Sequence, residues 1–147
     1  MKKVIIINGP NLNMLGKREP EFYGKDTLKN IEDKCIEESK TLGLESSFFQ
    51  SNHEGELIDK IQKSSSFDGL IINAGAFTHT SIAIHDALKT LKISKIEIHI
   101  SNIYAREDYR RKSITSEAVN GVICGFGENG YVLAIDAIKK LIYSEIK

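Results

Sequence analysis

Glu97 and His99 stand two residues apart in the run Ile96-Glu-Ile-His-Ile-Ser101. Side chains two apart on a strand share a face, so this spacing sets a carboxylate beside an imidazole. Such a pair fixes the imidazole tautomer and raises its basicity, which suits proton transfer, provided the strand is at least partly buried. If it is an edge strand, the same alternation describes a solvated polar face. Neutral hydrogen-bonding groups gather after the other apolar runs. Asn8, Asn11 and Asn13 follow the first, Gln50, Ser51, Asn52 and His53 the second, and Asn73, Thr78 and His79 the third. Ser101 and Asn102 follow the fourth run, and Gly125 and Gly127 end the fifth. Loop solvation and helix capping, by Ser51 or Thr80, account for some of these groups. Arg18 and Tyr23 lie in one long connection, and Arg106, Arg110 and Arg111 in another. Arginine forks match carboxylates, so two such segments over a polar rim suit a small anionic ligand, although a lone arginine is more often a solvated surface charge. A tyrosine beside arginine has its phenolate stabilised and so becomes a candidate base.

These groups need elements that bring them together. Lys3–Asn8, Leu44–Ser51, Asp68–Ala74, Lys95–Ser101 and Val119–Gly125 read as strands. Thr27–Leu42, Glu54–Ser65, Thr80–Leu91 and Gly130–Ile146 carry apolar residues at helical spacing. Thr27 or Asp26 is the expected N-cap of the first helix, and Gly43 stands where it ends. Strand and helix alternate, which predicts an α/β fold with a doubly wound, five-stranded parallel sheet; five strands suggest the flavodoxin-like order 2-1-3-4-5, which periodicity does not fix. Ligands of such sheets bind beyond the carboxyl ends of the strands, where the polar groups collect. Gly9–Gly24 and Asn102–Ala118 have no clean periodicity and exceed the usual limit of about 12–15 residues for a structureless loop. They read as binding segments, the first as a lid over about residues 9–24, or as tolerated surface insertions.

The whole chain narrows the classes. Its 147 residues suit one catalytic domain, residues 1–147. Twenty basic and twenty acidic residues cancel, which argues against a general nucleic-acid or membrane-surface binder. Cys35 and Cys124 read as reduced thiols of a cytoplasmic protein. The apolar runs are too short to span a bilayer. No metal is expected: His79 and His85, six apart, fall on different helical faces, and no metal-ligand motif occurs. Gly125–Gly130 has the G-x-G-x-x-G spacing but sits in the last unit, so it reads as a tight turn rather than a dinucleotide fingerprint. The rival class is a flavodoxin-like binding module for a nucleotide, a flavin or a protein.

Several long motifs resemble one family, the type II 3-dehydroquinate dehydratases. They are Asn8-Gly-Pro-Asn-Leu-Asn-Met-Leu-Gly16, Arg18-Glu-Pro20 with Tyr23-Gly24, and Gln50-Ser-Asn-His-Glu-Gly55. Asn73-Ala-Gly-Ala-Phe-Thr-His-Thr-Ser81, Glu97-Ile-His-Ile-Ser-Asn102, Arg106-Glu107, Arg110, Ser113 and Gly121-Val-Ile-Cys-Gly-Phe-Gly127 continue the match, and Gly130-Tyr131 closes it. Ala74 and His85 depart from the residues the family often has there, Pro and Arg. The resemblance implies a hydro-lyase of aromatic amino-acid biosynthesis, the shikimate pathway. It would convert 3-dehydroquinate reversibly to 3-dehydroshikimate by anti elimination through an enolate, without cofactor, metal or Schiff base. Carried over by the motifs, Tyr23 would be the base and Arg18 would hold its phenolate. Asn11 would orient a water on the enolate oxygen. His99 would be the acid, positioned by Glu97. Asn73, Ser101 and the Ile100 amide would hold the substrate carboxylate, and His79 and Arg110 the ring hydroxyls. Asp86 would reach in from an adjacent subunit of a homododecamer, a tetramer of trimers.

Overall fold

The structure, a computed structural model, describes residues 1–17 and 19–144. Five parallel strands form one sheet, as the alternation predicts, in the suggested order β2-β1-β3-β4-β5. They are β1 (Lys2–Asn8), β2 (Leu44–Gln50), β3 (Gly69–Asn73), β4 (Ser94–His99) and β5 (Gly121–Cys124). Among the described residues there are five α-helices: α1 (Pro20–Tyr23), α2 (Leu28–Thr41), α3 (Glu54–Gln62), α4 (Ile82–Thr90) and α5 (Asn129–Ile142). α5 ends four residues before Ile146, the expected limit; Ile146 itself lies outside the described residues.

Alternation along β1 divides the core. Val4 and Ile6 join Ile31, Cys35 and Ile135 on the side of α2 and α5. Ile5 and Ile7 join Leu57, Ile61, Ile84 and Leu88 on the side of α3 and α4. Both faces are covered, which is why the inner strands read as continuous apolar runs. Burial pushes the Cys35 thiol up to about 12, with Glu32 adding to the shift, so this cysteine serves packing rather than chemistry.

The caps follow local chemistry. Thr27 is the N-cap of α2: its Oγ1 accepts from the Asn30 amide at 3.2 Å, and Asn30 Oδ1 accepts from the Thr27 amide at 3.0 Å. Gly43 follows that helix at φ 72°, a conformation glycine adopts without a Cβ penalty. At α4 the cap is Ser81, not Thr80, with Ser81 Oγ accepting from the Ile84 amide at 2.9 Å. Ser51 Oγ accepts from the His53 amide and donates to Glu56.

Register aligns the strand ends. Asn8 pairs with Gln50 on one side and Asn73 on the other, and His99 pairs with Cys124. A line of polar groups therefore crosses the sheet at its carboxyl edge. Gly9 lets β1 and β3 converge there, since a Cβ on it would lie 2.6 Å from the Ala74 carbonyl oxygen. That contact is to backbone and cannot be relieved by a rotamer change. Gly9→Ala is therefore expected to destabilise the fold by about 1–3 kcal/mol, the usual cost of overpacking. At this size the loss lowers Tm by several degrees in a thermal melt. An unchanged Tm would show that the strand ends part without cost.

The segment expected as a lid is partly structured. It contains a 3-10 turn, Leu12–Met14, and the four-residue helix α1. Leu12, Leu15 and Tyr23 are buried in the cluster beneath α2 and α5. The other long connection is a string of 3-10 turns, Ile103–Ala105, Asp108–Arg110 and Thr115–Ala118.

Candidate active site

A cavity of about 110 Å³ opens at the carboxyl edge of β1, β3 and β4. Asn11, Tyr23, Asn73, His79, His99, Ile100, Ser101 and Arg110 all line it, together with Arg106. Most of the residues singled out from the sequence are thus brought to one place. Two are not. Asp86 lies on α4 with its side chain 71% exposed, beside a different surface depression shared with His85 and Lys112. Arg18 lies outside the described residues.

β4 is flanked by β3 and β5, and all six of its residues are buried. This removes the edge-strand alternative for the alternating Glu and His. His99 Nε2 is 2.7 Å from Glu97 Oε2, and Glu97 is fully buried. Glu97 also accepts from Ser113 Oγ at 2.8 Å and from Thr115 Oγ1 at 2.5 Å. Burial pushes its carboxyl upward, but the hydrogen bond and charge of His99, then the two hydroxyls, outweigh this and hold it below the usual carboxylate range. A carboxylate only accepts, so Nε2 of His99 carries a proton and Nδ1 is the nitrogen left for a ligand.

The His79 ring lies 6.3 Å from the His99 ring, nearly parallel to it. Its Nδ1 is 2.8 Å from the Lys112 carbonyl oxygen. Burial lowers the proton affinity of His79, aided by His99 and Arg110 and opposed by that carbonyl. In the neutral ring Nδ1 must be the donor, which leaves Nε2 as an acceptor suited to a hydroxyl.

Positive charge gathers around Tyr23. Arg106 Nη1 donates to Tyr23 Oη at 2.8 Å and to Ser101 Oγ at 3.3 Å. The Arg106 guanidinium also lies over the Phe22 ring, 4.4 Å from its centroid. Arg110 is braced by Glu107, Nε to Oε2 at 2.6 Å. Arg111 instead pairs with Asp108 on the surface. The sequence marks all three arginines as candidates, yet only the fold shows that Arg106 is the one on the tyrosine oxygen.

Other polar groups act as supports. Asn52 Oδ1 accepts from the Asn11 amide at 2.9 Å and from Gln50 Nε2 at 3.2 Å, bracing Asn11 at φ 69°. Asn73 is held on both sides. Its Oδ1 accepts from the Gly75 amide at 3.1 Å, and its Nδ2 donates to Tyr131 Oη at 3.1 Å. Tyr131 in turn donates to Asn8 Oδ1 at 2.6 Å. One Asn73 N–H remains for a ligand. Tyr131 is buried in the first turn of α5, and its link to Asn73 and Asn8 shows only in the fold. Among the described residues no group of three or more His, Cys, Asp or Glu is placed to hold a metal. No described helix is long and apolar enough to cross a membrane.

A carboxylate–imidazole pair, an arginine-bound tyrosine and a polar rim on a 2-1-3-4-5 sheet define a flavodoxin-like protein with a candidate site at the carboxyl edge. Residues 2–139 match the model of the family Dehydroquinase class II. The chain is 52% identical to "3-dehydroquinate dehydratase 1" of Agrobacterium fabrum, a match covering 94% of this chain and 96% of that one. It is also 52% identical to the 3-dehydroquinate dehydratase of Clostridium beijerinckii, over 93% and 95% of the two chains. Among solved structures, the type II dehydroquinase of Butyrivibrio crossotus superposes with a TM-score of 0.92 at 46% identity, covering 94% of this chain and 97% of that one. The type II dehydroquinase of Propionibacterium acnes gives 0.92 at 39%, with 98% of both chains covered. The chain belongs to the class II dehydroquinase family and is a type II dehydratase.

Proposed function

We propose that this enzyme dehydrates 3-dehydroquinate to 3-dehydroshikimate, reversibly, in the shikimate pathway of the cytoplasm, and that residues 1–147 form one catalytic domain. The observation that carries the reading is the meeting of Tyr23, held by Arg106, with the His99–Glu97 pair around one arginine-lined cavity. Tyr23 takes a proton from the carbon next to the ketone, and the electron pair moves into an enolate. The enolate then expels the hydroxyl of the neighbouring carbon, which leaves as water with a proton from His99. The proton and the hydroxyl depart from opposite faces, an anti elimination. A carbon acid of this kind needs a base, a stabiliser for the enolate and an acid for the leaving group.

The other residues bind and orient. Asn11 positions a water on the enolate oxygen, while Arg106, joined by Arg18 from the lid, holds the tyrosine oxygen. The free N–H of Asn73, the Ser101 hydroxyl and the Ile100 amide take the substrate carboxylate. Neutral His79 and Arg110 take the ring hydroxyls. The exposed Asp86 enters a neighbour's site in a homododecamer, a tetramer of trimers, so light scattering is expected to give the mass of twelve chains. A monomer mass with full activity would remove Asp86 from the site.

The test of the activity is direct. Added 3-dehydroquinate should produce the ultraviolet absorbance of a conjugated enone. Borohydride added with substrate should leave the enzyme active. No absorbance change would overturn the activity, and covalent trapping at a lysine would overturn the enolate route.

A further inference from the structure

Glu97 accepts two hydroxyl hydrogen bonds that the reaction itself does not require. Both come from the loop after β4. Thr115 is fully buried and its Oγ1 meets Glu97 Oε1 at 2.5 Å. Ser113 Oγ meets Oε2 at 2.8 Å, on the oxygen that also faces His99. Ser113 Oγ accepts from the Ser116 amide at 2.9 Å, which turns its own hydrogen toward the carboxylate. The loop is fixed in this position by two further bonds: the Ile114 amide donates to the Thr78 carbonyl at 2.8 Å, and the Lys112 carbonyl accepts from His79.

Counting protons shows what this does. Each hydroxyl has one hydrogen, and both are spent on Glu97. The carboxylate thereby meets three donors, two on Oε2 and one on Oε1, and among the described residues the titrating neighbour bonded to it is His99. A proton passing from His99 to Glu97 would weaken both hydroxyl bonds, which are stronger to a carboxylate than to a carboxylic acid. We propose that Thr115 and Ser113 are positioning residues: their hydroxyls keep Glu97 a carboxylate, and this sustains the imidazolium of His99 as the leaving-group acid at higher pH. The proposal rests on His99 being that acid.

Other charges around His99 set the background. Lys95 shares the Glu97 and His99 face of β4, but its Nζ is turned to the Leu88 and Leu91 carbonyls at the end of α4. His79 stacks from the turn before α4, Tyr23 comes from α1, and Arg106 and Arg110 come from the loop after β4. Cys124 pairs with His99 from β5. Glu97 is the carboxylate that faces His99 among these positive groups.

Thr115→Val keeps the shape and removes one donor. The alkaline limb of its kcat profile is expected about one pH unit below that of the wild type, with KM little changed. Thr115→Ser restores the hydroxyl and should restore the limb. Ser113→Ala, at a less buried position, should move it in the same direction by less. Proton NMR of the His99 imidazole reads the same shift without turnover. An unmoved His99 titration in both Thr115→Val and Ser113→Ala overturns the positioning role. A titration that moves while the kcat profile stays still keeps that role and instead removes His99 as the acid.

Discussion

Tyr23→Phe is expected to lose about 10²- to 10⁴-fold in kcat, the usual contribution of a positioned general base. The loss should be confined to turnover. The Tyr23 ring is buried with Leu12 and Leu15 in the core cluster, and a phenylalanine ring fills the same space. The Arg106 guanidinium keeps its contacts with the Phe22 ring and with Ser101, so its position survives without the phenol oxygen. Among the described residues, the hydrogen bond from Arg106 Nη1 is what the site loses. Ligand affinity, read by calorimetry with a non-reacting analogue, should therefore stay near that of the wild type. Turnover is read from the enone absorbance. Near-normal kcat in this variant would exclude Tyr23 as the base and would point to another acceptor on the same side of the cavity.

That such a test can be aimed at one atom depends on parts of the molecule that the sequence shows unequally. The parallel sheet and the helix placement are legible because buried parallel strands leave continuous apolar runs, as in Val4-Ile5-Ile6-Ile7, and because helices repeat their apolar residues. The Glu97–His99 pair is legible for the same reason: strand period alone puts both on one face. Whether that face is buried depends on β4 lying between β3 and β5, a long-range fact that alternation within one strand does not carry. Helix α1 spans four residues, too few for any period to show, so Tyr23 reads as part of a loop. Arg106, Arg110 and Arg111 look alike in sequence, and only the chain of 3-10 turns determines that one meets Tyr23, one Glu107 and one Asp108. Thr115 is invisible for a different reason. Serine and threonine are ordinary in loops, and its partner lies eighteen positions away in a different element.

His99→Ala is expected to lose kcat over the same range, about 10²- to 10⁴-fold, because the leaving hydroxyl then departs without a proton. This variant has a structural cost that Tyr23→Phe avoids. His99 is buried, and removing its ring strips Glu97 of its strongest partner while the two hydroxyls remain. A buried carboxylate that loses such a partner destabilises the fold by about 1–3 kcal/mol, so a thermal melt must accompany the kinetics. Loss of rate at a temperature well below Tm then belongs to chemistry. The decisive measurement is rescue. A substrate analogue whose leaving group departs without protonation bypasses the acid but still needs the base. It should restore His99→Ala toward the wild-type rate while leaving Tyr23→Phe slow. Base and acid would then be separated by two variants and one analogue. If the analogue rescues neither variant, or both alike, His99 does not protonate the leaving group, and its bond to Glu97 serves only to hold the cavity in shape.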